Sequence, residues 1–255
     1  MQPAVSFDFD NTLLLSEAAK HATMREVAAK HAGGLEVLAD VPFDSRTAPP
    51  GVKVTRHTIF RDVALGLVAR GLEVASVGHT DAESFGASMC DEFSTLIEER
   101  LKIAAEVPGA TALLKHLASH NIKCFVNTAT PQDPIDQVVD NLGWRAYFTG
   151  VYGTPGTKVE NLNRAAAAAA PDGGAALPPT QMIHVGDGDN DCKAASEYGC
   201  RFIGIALSVE HGGSGKPDGG FTKPCHAIAT DMYAAAGPLC TLLGIPPLAA
   251  DDAAK

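Results

Sequence analysis

The sequence has no uncharged apolar run of the roughly 18 residues that suggest a membrane-spanning helix. Its first residues, MQPAVSFDFD, lack the basic region and apolar stretch of a secretory signal peptide. Its six cysteines form no C-x-x-C pair and show no zinc-site spacing, which favours reduced thiols over a disulfide framework. We therefore expect a cytoplasmic protein that does not act at a membrane.

Positive charge is also scarce, because 20 lysines and arginines stand against 30 acidic residues. The resulting net charge of −10 repels a phosphate backbone, so a nucleic-acid polymer is not an expected partner. A small anionic substrate is compatible with this balance, since a local cationic pocket can coexist with an acidic surface. Hydrophobic residues make up 45% of the 255, which is typical of a globular protein.

The pattern of the chain changes near Pro108. Between about 16 and 105 the apolar residues recur with helical spacing, and Thr80-Asp81-Ala82-Glu83 predicts a capping box at the start of one helix. Beyond Pro108, apolar segments at 122–127, 181–185 and 201–206 alternate with helical patterns. This alternation predicts an α/β fold with a parallel sheet covered by helices on both faces.

The resulting domain plan has three parts. Residues 1–14 and 106–245 are expected to form the α/β core, and 15–105 a helical domain inserted into it. Residues 246–255 are expected to be a flexible tail. The insertion is long enough to cover a site at the carboxyl ends of the strands, where ligands bind in open α/β sheets.

Carboxylates follow two of the expected strands. Asp8 and Asp10 come directly after the apolar segment 4–7, and side chains two apart in an extended chain point the same way. A second acidic cluster, 186–191, follows strand 181–185. Brought together at one edge of the sheet, the two clusters would offer oxygen ligands suited to Mg²⁺. The alternative is structural, because aspartate is common in turns and helix caps.

Two further residues between these clusters could bind an anion. Thr128 stands at the end of a strand where a helix opens, and Lys158 lies in a short loop before the next helix. Each alone is more typical of a helix cap or a solvated lysine.

Taken in order, Asp8-x-Asp10-x-Thr12, Thr128, Lys158 and Gly186-Asp187-x-x-x-Asp191 resemble the haloacid dehalogenase superfamily. The resemblance covers all but about the last ten residues and points to its phosphatase branch, similar to phosphoglycolate phosphatases, with a helical cap inserted after the first motif. It implies a Rossmann-like three-layer α/β/α core.

The resemblance also implies a role for each matching residue. Asp8 would be the nucleophile that forms an aspartyl phosphate, and Asp10 the general acid and base. Phosphate oxygens would be bound by Thr128, Ala129 and Lys158. Mg²⁺ would be held by Asp8, Asp187 and the backbone carbonyl of Asp10, with Asp191 as a ligand or an orienting carboxylate and Thr12 shaping the turn.

The implied function is Mg²⁺-dependent hydrolysis of a small phosphorylated metabolite, a phosphomonoesterase activity. Two alternatives stay open at this point. One is a phosphomutase acting on a sugar phosphate, and the other is a non-catalytic protein that senses a phosphate ligand. The resemblance does not choose among phosphoglycolate, sugar phosphates and nucleoside monophosphates as the substrate.

Two features outside the motifs have competing interpretations. The expected cap has a cationic cluster at the start of a helix, formed by Lys53, Thr55, Arg56, His57 and Arg61. Lys53, Arg56 and His57 would either bind the polar remainder of the substrate or belong to a solvated basic face. His184 lies inside an apolar strand and is expected to be a packed core residue rather than a ligand.

Overall fold

The computed structural model describes residues 2–42, 54–171, 174–208, 211, 213 and 216–249. The chain divides into two compact units, Met1–Ala18 with Lys102–Lys255 and Ala19–Leu101. The sequence alone put the corresponding boundaries at 14 and 106. Within the described residues, no helix is long and apolar enough to span a membrane.

The first unit is built on a parallel sheet, with six strands in the part of the chain that the structure describes. In chain order the strands are β1 Ala4–Phe7, β2 Cys124–Pro131, β3 Gly150–Thr154, β4 Met182–Gly186, β5 Arg201–Ile205 and β6 Ala227–Ala229. Their order across the sheet is β3-β2-β1-β4-β5-β6. The predicted α/β fold with a parallel sheet is confirmed.

The described residues also form helices in both units. In chain order they are α1 Glu17–Ala29, α2 Gly34–Asp40, α3 Arg56–Ala69, α4 Ala82–Leu101, α5 Ala110–Ser119, α6 Gln132–Asn141, α7 Lys158–Ala169, α8 Asp189–Tyr198 and α9 Met232–Leu243. The alanine-rich α7 packs closely on the sheet, because Ala165 and Ala166 share a buried cluster with Phe125 and Met182. Small side chains thus allow the helix to lie close to the strands.

The sheet places the ends of three strands at one edge. Phe7, the last residue of β1, pairs with Val126 on β2 and with Val185 on β4, so β1 ends one residue before the end of β4 while β2 continues to Pro131. The strand order reverses between β1 and β4, where the connections lead away in opposite directions. Such a switch point opens a crevice at the carboxyl edge of a parallel sheet, and residues that follow β1, β2 and β4 lie there.

The second unit consists mainly of α3 packed against α4, with α2 beside α3. The two long helices approach closely at Gly86, where a Cβ would lie 2.9 Å from the Cα of Arg61. Phe60 and Phe93 pack between them with ring centroids 5.6 Å apart.

Several local expectations differ from the structure. The capping residue of α4 is Asp81, not Thr80, because the Asp81 carboxylate accepts a hydrogen bond from Ser84 N at 2.8 Å. The helix expected over 16–32 ends at Ala29, and the short helix α2 follows a left-handed Gly33 with φ 80°. Strand β6 and helix α9 were not predicted, since the three residues of β6 are too short for a hydrophobic pattern.

Candidate active site

Asp8 is the first residue after β1 and lies in the crevice beside β4. Its backbone N–H donates to Val185 O at 2.8 Å, which continues the ladder of the sheet up to the carboxylate. The chain then turns sharply: Asn11 has a φ of 53°, and the N–H groups of Leu13 and Leu14 both donate to Phe9 O. Asparagine tolerates this left-handed conformation better than most residues. Asp8 itself is only 7% exposed.

Lys158 is the first residue of α7 and its ammonium group reaches the Asp8 carboxylate. The Nζ atom lies 2.6 Å from Asp8 Oδ1 and 2.5 Å from Asp191 Oδ1, and it donates to Asn127 O at 3.0 Å. The start of α7 is fixed by a capping box between Thr157 and Glu160. Lys158 therefore bridges two buried carboxylates from a rigid helix end.

The position of Lys158 depends on a polar network that the sequence did not reveal. Asn127 Nδ2 donates to Lys158 O at 2.9 Å, and Asn127 Oδ1 accepts from Asn161 Nδ2 at 3.1 Å. Both asparagines are fully buried. Asn127 was adjacent in sequence to Thr128, but nothing in the pattern linked it to Lys158 across 31 positions.

Asp191 is held on both of its oxygens. Oδ1 accepts from Lys158 and from His184 Nε2, the latter at 3.1 Å, while Oδ2 accepts from Gly188 N at 3.1 Å. Histidine 184 is fully buried, as expected, but it also contacts Ser6 O through Nδ1 at 3.0 Å. The sequence did not predict these polar contacts, because the apolar residues around a histidine in a strand do not indicate which groups its ring contacts.

Burial and mutual repulsion perturb the carboxylates. Burial, with the charge of Asp191 close by, raises the pKa of Asp8 to about 7 despite Lys158. Burial and the charge of Asp8 raise the pKa of Asp187 well above its usual value. Burial alone would also raise the pKa of Asp191, but the Lys158 charge and the His184 hydrogen bond outweigh it and lower that pKa to about 2.

Asp10 lies outside this carboxylate cluster and is held by two hydroxyl groups. Ser16 Oγ donates to Asp10 Oδ1 at 2.5 Å, and Thr130 Oγ1 donates to Oδ2 at 3.0 Å. Asp10 is partly exposed, whereas Ser16 is fully buried. Neither Ser16 nor Thr130 was singled out from the sequence, because hydroxyl residues near a strand end are common.

The other predicted core residues occupy the same edge. Thr128 is almost fully buried on β2, and its Oγ1 accepts from Thr130 N at 3.1 Å. Ala129, the next residue, is exposed. Thr12 is buried in the turn after β1, and its hydroxyl has no hydrogen-bond partner among the described residues.

Three carboxylates could hold a metal ion. Oxygen atoms of Asp8, Asp187 and Asp191 all lie within 4.8 Å of one another. When all three carboxylates are ionised, as ligands of a cation are, they and the ammonium group of Lys158 leave an excess of two negative charges, which a divalent cation would balance. Carboxylate oxygens are the ligands that Mg²⁺ takes from proteins, so the residues fit such an ion.

Asp189 does not join this cluster. Its Oδ1 accepts from the N–H and the hydroxyl of Thr222, and its Oδ2 pairs with Lys193 at 2.8 Å. The carboxylate thus ties the start of α8 to the loop after β5.

Two of the three basic residues expected to contact substrate lie in the second unit. Arg56 and His57 are the first residues of α3, after the capping residue Thr55. His57 Nδ1 lies 3.3 Å from the thiol of the buried Cys90. Lys53 falls outside the described residues.

Comparison with known proteins agrees with this arrangement. The haloacid dehalogenase-like hydrolase family matches residues 3–199, which include every motif residue named above in the first unit. The chain belongs to that family. A phosphoglycolate phosphatase from Cereibacter sphaeroides is 29% identical over 214 residues, covering 82% of this chain and 87% of the relative. One from Pseudomonas fluorescens is 24% identical over 167 residues, covering 64% and 60%.

Solved structures of the family share the fold of this haloacid dehalogenase-like hydrolase. A haloacid dehalogenase hydrolase from Bacillus subtilis, bound to magnesium, superposes with a TM-score of 0.61 at 15% identity, covering 96% of this chain and 99% of its own. One from Streptococcus pneumoniae gives 0.58 at 19% identity, covering 94% and 97%. With its phosphatase relatives, the protein is an enzyme of the phosphatase type, similar to phosphoglycolate phosphatases.

Proposed function

We propose that this hydrolase is a Mg²⁺-dependent phosphomonoesterase that transfers the phosphoryl group of a small metabolite to Asp8 and then to water. The observation that carries the proposal is the buried Asp8 carboxylate, 2.6 Å from Lys158 Nζ, at the end of the first strand. A carboxylate in that place can attack a phosphorus atom, and the adjacent cation offsets the repulsion between two anions.

The first half of the reaction needs an acid. A carboxylate oxygen of Asp8 attacks the phosphorus atom, and the bond from phosphorus to the ester oxygen breaks. Asp10 gives its proton to the departing alkoxide, so the alcohol leaves neutral. Asp10 stands two residues from Asp8 and is partly exposed, which lets it exchange protons with solvent and substrate.

The second half needs a base. Asp10, now ionised, takes a proton from the water molecule that attacks the phosphorus atom of the aspartyl phosphate. The bond between phosphorus and the Asp8 oxygen then breaks, which releases inorganic phosphate and restores the Asp8 carboxylate. The hydroxyl groups of Ser16 and Thr130, each bonded to Asp10, hold this carboxylate in place.

Phosphate oxygens would be bound by the groups around Asp8. The ammonium group of Lys158 neutralises negative charge, while the Thr128 hydroxyl and the backbone N–H of Ala129 are hydrogen-bond donors at the same edge of the sheet. A magnesium ion, when bound by Asp8, Asp187 and the backbone carbonyl of Asp10, would supply further charge compensation. Asp191 would act by holding Lys158, because both of its oxygens already accept hydrogen bonds.

The curated relatives supply the first substrate to test. They are phosphoglycolate phosphatases, so 2-phosphoglycolate comes first in a panel with sugar phosphates, nucleoside monophosphates and a generic aryl phosphate. Each compound is incubated with the protein in Mg²⁺ or in chelator, and released phosphate is measured. Asp8→Asn is the matched control, since it removes the nucleophile and one charge while keeping the size of the side chain.

The expected result is phosphate release that requires both Mg²⁺ and Asp8 and is selective for one class of compound. Near-normal turnover by Asp8→Asn would contradict the assignment of the nucleophile. Isomer formation in excess of phosphate release would point to a phosphomutase. Thermal stabilisation by a panel compound without any turnover would point to a ligand sensor.

A further inference from the structure

A buried histidine outside the four motifs lies directly behind the catalytic cluster. His184 is on β4, opposite Ser6 on β1 in the parallel register, and none of its surface is exposed. Its Nδ1 lies 3.0 Å from Ser6 O, and its Nε2 lies 3.1 Å from Asp191 Oδ1. The ring packs near Phe202 of β5, with centroids 6.1 Å apart. It therefore joins the strand that carries Asp8 to the helix that carries Asp191.

One of these contacts has a defined direction. An ionised carboxylate only accepts, so Nε2 donates to Asp191 Oδ1. On the other side of the ring, Nδ1 lies against the Ser6 carbonyl oxygen. The ring is thus fixed at both ends, and a buried donor left without its acceptor would be unfavourable.

The hydrogen bond from His184 Nε2 limits how the Asp191 carboxylate can turn. The same Oδ1 atom accepts from Lys158 at 2.5 Å, while Oδ2 accepts from Gly188 N. Without the bond to His184, the donors to Asp191 among the described residues would be Gly188 N and the Lys158 ammonium group. Lys158 is shared between Asp191 and Asp8, so any change in Asp191 changes the charge next to the nucleophile.

We propose that His184 is a positioning residue for the hydrolase reaction: it holds Asp191 so that Asp191 in turn holds Lys158 between the two carboxylates. This inference rests on the proposed function. When His184 no longer bonds to Asp191, Lys158 pairs more tightly with Asp8 and makes the nucleophile less available. The effect falls on turnover more than on substrate binding, because the Thr128 hydroxyl and the Ala129 N–H are unchanged and Lys158 keeps its charge.

Two conservative substitutions separate the two bonds. In His184→Asn, the amide nitrogen stands near the Nδ1 position and can still donate to Ser6 O, but nothing reaches Asp191. In His184→Gln, the longer side chain places its amide nitrogen near the Nε2 position and can donate to Asp191. Phe202→Leu is the packing control, since it loosens the contact with the ring without removing either hydrogen bond.

The experiment measures kcat and KM for p-nitrophenyl phosphate in saturating Mg²⁺, binding of inorganic phosphate by calorimetry, and the melting temperature. We expect His184→Asn to lower kcat about 10-fold to 100-fold, the usual range when the partner of a site residue is lost. KM and phosphate affinity should change less than about 3-fold, and His184→Gln should recover most of kcat. Phe202→Leu should lower the melting temperature but leave kcat close to that of the unaltered protein.

Equal kcat values for the two His184 variants would overturn the proposal, as would a kcat loss that follows the melting temperature across all three variants. Failure of both His184 variants to fold would also overturn it, because the histidine would then serve packing alone. Absence of turnover in the unaltered protein would refute the proposed function itself and the positioning role with it, whereas equal kcat values of the two His184 variants in an active enzyme would refute the positioning role alone.

Discussion

Replacing Lys158 by methionine removes the one positive charge that contacts both Asp8 and Asp191. Methionine has a similar length, so the loss is mainly electrostatic. The ammonium group sits within 2.6 Å of both carboxylates and its side chain is only 12% exposed. The substitution leaves three neighbouring aspartates with no ammonium group between them.

The cost can be estimated from buried ion pairs. Removing one partner of such a pair typically destabilises a protein by about 3–5 kcal/mol. Protonation of Asp8, whose pKa is already near 7, relieves part of the repulsion, so we expect the lower end, about 3 kcal/mol. At roughly 2–4 °C per kcal/mol for a chain of this size, the melting temperature should fall by about 6–12 °C.

The assay compares melting temperatures in chelator and in Mg²⁺ for the unaltered protein, Lys158→Met and Lys158→Arg. Since the cluster in Lys158→Met carries a larger negative charge, added Mg²⁺ should raise its melting temperature more than that of the unaltered protein. Turnover should fall by about 10²- to 10³-fold, as when an anion-stabilising donor is lost. Lys158→Arg keeps the positive charge, so its melting temperature should be closer to that of the unaltered protein than its turnover is. An unchanged melting temperature in chelator, or a smaller shift with Mg²⁺, would refute this reasoning.

Three further outcomes are expected. In chelator, the melting temperature should fall as pH rises from about 4 to 7, because burial raises the pKa of Asp8 and Asp187 and the folded state then holds protons that the unfolded state releases. Saturating Mg²⁺ should make the melting temperature depend less on pH. A melting temperature that does not change with pH in chelator would contradict the raised pKa values. Gly86→Ala should destabilise the protein by about 1–3 kcal/mol, since its Cβ would meet the backbone of Arg61 at 2.9 Å, and denaturant melts that show no change would contradict the close packing. Arg56→Ala should raise KM for the best metabolite far more than for an aryl phosphate, and equal effects would favour a solvated basic face.

Much of the first unit was predictable because its elements are short, apolar and periodic. Strands β1 and β4 stand out as apolar runs that lead into acidic residues, and β5 stands out as an apolar run alone. The order of the motif residues then placed Asp8, Lys158 and Asp191 in one site before any distance was known. The same reasoning could not find β6, because three residues carry no periodicity, or α2, which begins after a left-handed glycine.

The polar supports of the site were not predictable for a different reason. Thr130, Asn127 and Asn161 act through contacts between residues far apart in sequence. Ser16 contacts Asp10, six positions away, and each of the four is a common residue in a common setting. His184 gave a correct expectation of burial but no indication that its ring would contact Asp191. Whether a side chain is buried follows from the apolar pattern of the sequence, whereas its hydrogen-bond partners follow from the register of the sheet.

The central claim is that the phosphoryl group is carried by Asp8. The most direct measurement traps it: Asp10→Asn is mixed with p-nitrophenyl phosphate, whose leaving group needs no proton, and is quenched and reduced with borohydride. Because Asp10 would activate the water, the variant should accumulate aspartyl phosphate, which borohydride converts to homoserine at position 8 in the mass spectrum of the first peptide. An unmodified Asp8 under conditions of nitrophenol release, or modification of another residue, would contradict the account.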